Sequence, residues 1–552
     1  MLYLPMFFKV VKSKGFEYLK LVETYWQDGK AHQRVIANLG RLDVLRQSGQ
    51  LQRLTQRLKR LSGDNSVNYK DLKELNRYCY GDIVYRRLWQ QYRLDTILGS
   101  LVSGKRVQFD FIHTVYLLVI DRLLQPRSKL ATWQSQGRYL CLQEVSLSHL
   151  YRSLDILAEG KQQLEGHLFS RYMNLFNHQV DVVFYDVSTY HFESVRGDEL
   201  RRFGYSKAGK FNEVQVVMGL LLDMAGHPIG FDLFPGNTHD VQTFVQALQA
   251  LEERFRIRRL IFVADQGLNS AANLYALQQA GYEYIVRARL KQLPSALQEQ
   301  VLDTSGYVPV KGEGDEDVGF RYKRISGHRF VVKDSEGHRQ EVEDSLIVYW
   351  SEKLAERDRQ NRQRLVEKAQ QLVHQRRQPG IGKGHQRYLA LEGRQRVVGI
   401  DEARIAKDAS WDGYLAVQSN VVGLDSLAII DAYHQLWRIE EAFRLLKSTL
   451  RTRPIFHWTP RRILGHFVVC FIAFVLERAL EIRLKRQGIS ASPEQIRRAI
   501  NSLEISEVQL GEHVFYLKGK HEPLAGKIFK VLKLKHLKNV MDKKELPQAL
   551  GV

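Results

Sequence analysis

The rhythm of hydrophobic and polar positions changes several times along this chain. Residues 6–43 alternate in the strand manner, as in Glu17-Tyr18-Leu19-Lys20-Leu21-Val22-Glu23. Gln27-Asp28-Gly29-Lys30 is a turn signal before a further strand over Arg34 to Leu39. From about 49 to 178 the spacing becomes helical. Leu51, Leu54, Leu58 and Leu61 fall three and four apart, with Gln52, Arg53, Arg57 and Lys59 between them. Phe109 to Leu124 reads as a more apolar, buried helix. Strand patterning returns over Asp181–Val187, Val214–Asp223 and Pro228–Phe234, with Ala225-Gly226-His227 turning between the last two. Then come a helix over Val241–Arg254, a strand over Arg259–Ala264, a helix over Ala271–Gln279 and a strand over Tyr282–Val286. Three hairpin-linked strands followed by helix crossovers predict a mixed sheet with helices on its faces.

After 290 the strand candidates are Gly319–Ile325, His328–Lys333, Ser345–Tyr349 and Gly413–Gln418, interrupted by a basic helix, Glu352–Arg377. A helical block closes from Leu427 to about 487. The expected organisation is a β module over 1–48 and a helical region over 49–178. The first part of a mixed-sheet core spans 179–290, and a β-rich insertion with the basic helix spans 291–427. The glutamate helix and closing helix of the core cover 428–487, and a basic region covers 488–552. The fold class is α/β, α+β overall.

Composition narrows the function. Across 552 residues, 44% are hydrophobic and 10% aromatic, which supports packed cores rather than disorder. The net charge of +21 favours a polyanionic partner, nucleic acid above a small anion. Residues 515–552 alone carry nine lysines against Glu522, Asp542 and Glu545. Cys79, Cys141 and Cys470 are widely spaced with no CxxC pair, so neither a disulfide scaffold nor a zinc module is expected. Met1 to Phe8 is apolar but lacks the pattern of a signal peptide. The most hydrophobic stretch, Ile463–Leu476, is shorter than the ~20 residues that span a bilayer and reads as a buried helix. A soluble, cytoplasmic protein with no membrane partner is expected.

Three acidic residues carry the chemistry. Asp186 ends the apolar run Val182-Val183-Phe184-Tyr185, and Asp265 ends Leu260-Ile261-Phe262-Val263-Ala264. Glu440 lies in a helical stretch from Tyr433 to Leu450. A carboxylate at the end of a buried strand is costly unless a cation or several hydrogen bonds offset it. Two such aspartates and a helix glutamate supply hard oxygen ligands for Mg²⁺, the requirement of metal-dependent phosphodiester chemistry. The plainer reading makes each aspartate a cap for the turn after its strand, and Glu440 half of an i,i+4 pair with Arg444. Glu441 is the rival glutamate, about 100° away around the helix. Seven residues make nearly two turns, so Tyr433, Glu440 and Lys447 share a stripe beside an apolar one of Ile439, Phe443, Leu446 and Leu450. His191, Glu193 and His239 offer a weaker alternative, an imidazole-ligated transition metal, without supporting spacing. Ser146-Leu147-Ser148-His149-Leu150-Tyr151 is a helix start that suits a helix-turn-helix or a plain bundle equally.

A family resemblance adds to this. It is carried by Phe184-Tyr185-Asp186-Val187-Ser188-Thr189-Tyr190, Gly204-Tyr205-Ser206-Lys207 and Phe234-Pro235-Gly236-Asn237-Thr238-His239-Asp240. Val263-Ala264-Asp265-Gln266-Gly267 and Ile439-Glu440-Glu441-Ala442-Phe443-Arg444-Leu445-Leu446-Lys447 complete the set. In this order and spacing the chain resembles insertion-sequence transposases of the DDE type. Their catalytic fold is RNase H-like, and the closest likeness is to the insertion-sequence-four group, which has a β-rich insertion before the glutamate. The family's helix signature is tyrosine, arginine, glutamate and lysine. Tyr433, Glu440 and Lys447 match it, but its arginine position is Leu436, leaving Arg438 or Arg444 as substitutes.

The resemblance implies cut-and-paste DNA transposition. Asp186, Asp265 and Glu440 would be the catalytic and metal-binding residues, holding two Mg²⁺ ions, with Mn²⁺ able to substitute. Tyr433, Arg444 and Lys447 would bind DNA phosphates. The partners implied are double-stranded DNA, as terminal inverted repeats and target, and a second copy of the chain in a dimer bridging two ends. When bound to DNA the protein would be nucleoid-associated. The competing readings are an RNase H-like nuclease without strand transfer and a catalytically dead DNA-binding relic.

Overall fold

The computed structural model describes residues 6–27, 30–62, 72–140, 142–176, 182–194, 196–204, 213–238, 261–311, 317–333, 337–374, 384–392, 396–510 and 513–546. Its centre is a nine-stranded sheet. In chain order the strands are β1 (Val182–His191), β2 (Gln215–Asp223), β3 (Pro228–Pro235), β4 (Ile261–Ala264), β5 (Glu283–Arg287), β6 (Val308–Lys311), β7 (Asp317–Lys333), β8 (Arg339–Ser351) and β9 (Tyr414–Ser419). Across the sheet they run β6-β7-β8-β9-β5-β4-β1-β2-β3. β1, β2 and β3 are antiparallel neighbours, whereas β1, β4 and β5 are mutually parallel. The order 3-2-1-4-5 with that mixed polarity is the RNase H-like sheet. All nine residues of β2 are buried, because both faces of this sheet are covered and alternation gives way to a continuous apolar run.

The sheet extends into the insertion, and one strand expectation needs revision. The insertion strands are continuous with the core: β9 pairs antiparallel with β5, and β8 and β7 follow outward. The two strands predicted over Gly319–Ile325 and His328–Lys333 are one strand, β7. Its register shifts between Ser326 and His328, where Gly327 takes a positive φ of 69°. A bulge interrupts the alternation without ending the strand. The helix predicted over Val241–Arg254, together with Tyr205-Ser206-Lys207, His239, Asp240 and Cys141, lies outside the described residues.

A second sheet joins the two ends of the chain. Strands Met6–Ser13, Phe16–Gln27, Lys30–Arg41 and Leu72–Cys79 share it with Glu504–Leu510, His513–Lys518 and Val540–Asp542. The junction is an antiparallel pairing of Leu72–Cys79 with Glu504–Leu510. An ion pair between Arg57 and Glu545 fastens the same two regions from outside.

Helices fill the space between the sheets. The ones used below are α1 (Phe111–Leu124), α2 (Leu147–Glu159), α3 (Glu352–His374), α4 (Ser426–His434), α5 (Trp437–Arg444) and α6 (Pro460–Arg486). The Thr459 hydroxyl caps α6, and Pro460 opens it where its missing N–H costs nothing. α6 outruns the apolar run read from sequence by extending to Arg486. By length and composition alone it could cross a membrane, but 94% of its apolar window, mean hydropathy 2.0, is buried in the protein. Each fully buried Leu, Ile or Phe side chain contributes about 1.5–3 kcal/mol. Gly465 sets the spacing of this packing, because a Cβ there would lie 2.0 Å from the Leu154 carbonyl oxygen of α2. Cys79 and Cys470 are buried free thiols.

Candidate active site

The site is built at the edge of the β1–β4 pairing. The last paired couple is Phe184 with Val263, and Asp186 and Asp265 each lie two residues further on. They therefore stand level on neighbouring parallel strands. Asp186 does not end its strand as predicted. β1 continues to His191 because Val187, Thr189 and Tyr190 remain paired with β2 after β4 has stopped. Asp186 is half-buried and Asp265 exposed. Asp265 stands at the start of a short helical turn, Gln266–Leu268, yet its side chain makes no capping hydrogen bond. The plain capping role thus fails for Asp265.

The third acidic residue arrives on a broken helix. Sequence periodicity predicts continuous helix from Tyr433 to Leu450. Instead α4 ends at His434, α5 begins at Trp437, and Leu445–Thr449 widens into a π turn. Tight bonds mark the break: the N–H groups of Leu436 and Arg438 donate to the Tyr433 and Gln435 carbonyls at 3.0 Å. The predicted apolar stripe is nevertheless buried, with Ile439, Phe443, Leu446 and Leu450 all inside. Glu440 is exposed beside that stripe.

Two cations and a phenol meet the aspartates. The Lys447 ammonium donates to the Ser188 hydroxyl and lies 5.1 Å from the centre of the Tyr190 ring. Ser188 and Tyr190 alternate with Asp186 along one face of β1, so Lys447 is held on the Asp186 face. The Tyr433 phenol lies close to both Asp265 and Arg287, whose charges act on it. Burial, and then the Asp265 charge, push that phenol up to about 12, so it stays a neutral donor.

Arg287, the last residue of β5, was missed by the sequence reading. The substitutes considered for Leu436 are elsewhere. Arg438 donates to the Gln435 side chain at 3.0 Å and lies over the Trp437 ring. Arg444 lines a cavity of about 660 Å³ on the other flank of α5, together with Trp437, Glu441, Arg478 and Glu481. Glu441, the rival glutamate, is ion-paired with Arg478 at 3.3 Å.

The basic helix borders the site. A cavity of about 400 Å³ between the β5 end and α3 is lined by Gln266, Arg287, Arg289, Lys291, Arg357 and Arg362. Asp358, Asp408 and Asp412 temper that charge, and Arg362 is ion-paired with Asp412. Arg376 and Arg377 lie outside the described residues. His191 is buried at the end of β1 and Glu193 exposed beyond it. Among the described residues no three His, Cys, Asp or Glu side chains converge as a ready-made metal cluster. The donor types at the site, all carboxylate oxygens, nevertheless suit a hard divalent cation.

Residues 181–476 match the family model described as Transposase DDE domain. Residues 8–69 match the IS1634 family transposase N-terminal domain. No curated protein matches the chain. Among solved structures, a piggyBac transposase synaptic complex with hairpin DNA is 9% identical, with 77% of this chain and 79% of that one covered and a TM-score of 0.34. A Mos1 transposase paired-end complex with left transposon end is 17% identical, with 42% and 65% covered and a TM-score of 0.15.

Proposed function

The chain belongs to the DDE-domain transposase family, and from that premise we propose that it cuts the ends of its own mobile element and joins them to target DNA. The single observation carrying the site assignment is the level placement of Asp186 and Asp265 on neighbouring strands, with Lys447 on the same face of β1.

Asp186, Asp265 and Glu440 would hold two Mg²⁺ ions, or Mn²⁺ in their place. When bound, such ions activate water and neutralise charge developing on a phosphate. Lys447 brings positive charge to the Asp186 face of β1, and Arg287 brings it to Tyr433 beside Asp265. They would grip non-bridging phosphate oxygens and hold the scissile bond in line. Tyr433 stays protonated beside Asp265 and would donate to its carboxylate without adding charge. Arg287 thus takes the role of the family arginine absent at Leu436. Arg444, exposed at the neighbouring cavity, would reach the DNA backbone further along.

Water attacks the phosphodiester at the element's end, and the freed 3′-OH later attacks target DNA. Each joining step exchanges one phosphodiester for another, so no ATP is consumed. The helical region 49–178 and the basic region 488–552 would bind the terminal repeats, and a dimer would hold two ends together. The protein acts where its DNA is, in the cytoplasm at the nucleoid.

The test uses duplexes ending in the inverted repeats that flank the gene. Mg²⁺-dependent cleavage at the repeat boundary with joined products is expected for the parent. Asp186→Asn and Glu440→Gln are expected to bind the duplex and leave it intact. Cleavage without joined products would replace the transposase reading with a nuclease, and equal cleavage by the variants would refute the site.

A further inference from the structure

The segment Arg451–Thr459 leads from the Lys447 turn into α6 and has no regular secondary structure. It is nonetheless firmly held. The Arg122 guanidinium of α1 donates to the Leu450 and Arg451 carbonyls at 3.3 and 3.0 Å. His457 is buried, edge-on to Tyr151 at 6.0 Å and against His466 at 5.3 Å. Side chains alternate along it: Ile455 is 7% exposed, Phe456 59%, His457 6% and Trp458 64%. Two large aromatics are therefore presented to solvent by a backbone fixed on its other side. Single exposed aromatics are ordinary, but a fixed cluster marks a binding surface.

The surroundings specify the occupant. Arg201, tied to Asp198 at 2.7 Å and itself buried, lies 5.3 Å from the centre of the Trp458 ring. Trp458 thus has a cationic backing and an open face. Phe203, two residues beyond Arg201, is also half exposed. Arg202, Arg451 and Arg453 are exposed nearby. Arg453 lies near Tyr190, and Lys447 sits over the same ring, so the segment begins at the proposed active site. An apolar protein partner would leave these guanidinium groups unmatched. A nucleic acid matches both features, and only an unpaired strand offers base faces for stacking.

We propose that Phe456 and Trp458 form a base-stacking platform for an unpaired DNA strand beside the catalytic site. The location of its use, at a frayed or cut element end, rests on the transposase reading; the binding itself does not.

The experiment uses the full chain without divalent metal. Fluorescence anisotropy would compare an oligothymidylate of about twenty nucleotides, an abasic strand of equal length and a duplex. Stacking on an aromatic contributes about tenfold or more per base. The parent is therefore expected to prefer thymidylate over the abasic strand by at least about tenfold. Phe456→Ala/Trp458→Ala is expected to lose that preference while keeping abasic binding, duplex binding and its thermal transition. Phe456→Tyr/Trp458→Phe is expected to retain the preference. No preference in the parent, or an undiminished one in the alanine double variant, overturns the platform. Asp186→Asn is expected to discriminate like the parent, so the platform can fail while repeat-end cleavage succeeds, and the reverse.

Discussion

The two flanks of α5 are made from the same few residue types and do opposite work. On one flank Glu440 is exposed beside the buried stripe of Ile439, Phe443 and Leu446. On the other, Glu441 is held by Arg478, which also donates to Glu481 at 2.6 Å. Behind that pair Glu477 accepts from the Tyr85 phenol. One residue of offset, about 100° around the helix, separates an exposed carboxylate, the one we propose for catalysis, from one held in an ion pair. A charge neutralised by protein partners stabilises a fold, whereas catalysis needs a charge left to meet substrate or metal.

The contrast should break most visibly at the adjacent glutamates. Glu440→Gln is expected to lower single-turnover cleavage by roughly 10³-fold or more with an unchanged melting temperature. Glu441→Gln should keep cleavage and lose about 1 kcal/mol of stability, read from urea unfolding. If Glu441→Gln proved the inactive one, the assignment of the two flanks would be reversed.

Arg287 sharpens the comparison next. Arg287→Ala is expected to slow cleavage by about 10²-fold, with Arg287→Lys recovering only part, since an ammonium cannot reproduce a guanidinium fork. Arg444→Ala should leave the cleavage rate of bound DNA intact and weaken duplex binding a few-fold, with a shallower salt dependence. Equal losses of rate in both variants would dissolve the distinction between them.

The smallest effect belongs to the structural flank and appears in stability against pH. Burial, then Glu481, raise the Glu477 carboxyl above its ordinary value, while Tyr85, Arg497 and Arg478 pull the other way. In the window above the ordinary carboxyl value and below the raised one, the folded chain holds a proton that the unfolded chain has released. Stability from this group is complete below the window and falls as pH rises through it, by at most about 1.4 kcal/mol per pH unit. Glu477→Gln should flatten that part of the profile in thermal unfolding, and an unaltered slope would show that other groups set it.

Much of this was legible in the sequence, for a local reason. Each core strand announces itself by its own apolar run, and three strands followed by crossovers admit few topologies. The positions of Asp186 and Asp265 follow from the same runs. What escaped notice depends on distant partners. Nothing near Tyr414–Ser419 says that it pairs with β5, and nothing near Leu72–Cys79 names Glu504–Leu510 as its neighbour. The break at Gln435-Leu436 carries no proline or glycine to signal it. Arg287 did carry a signal, since it ends the apolar run Tyr284-Ile285-Val286 as the aspartates end theirs.

The sheet that joins both chain ends sets a clock on synthesis. At 5–20 residues per second, roughly 20 to 90 s separate the emergence of Leu72–Cys79 from that of its partner Glu504–Leu510. Until then the early strands carry an open edge, the kind of surface that pairs with neighbouring chains. Emergence of Glu504–Leu510 is therefore the event that seals the edge of Leu72–Cys79.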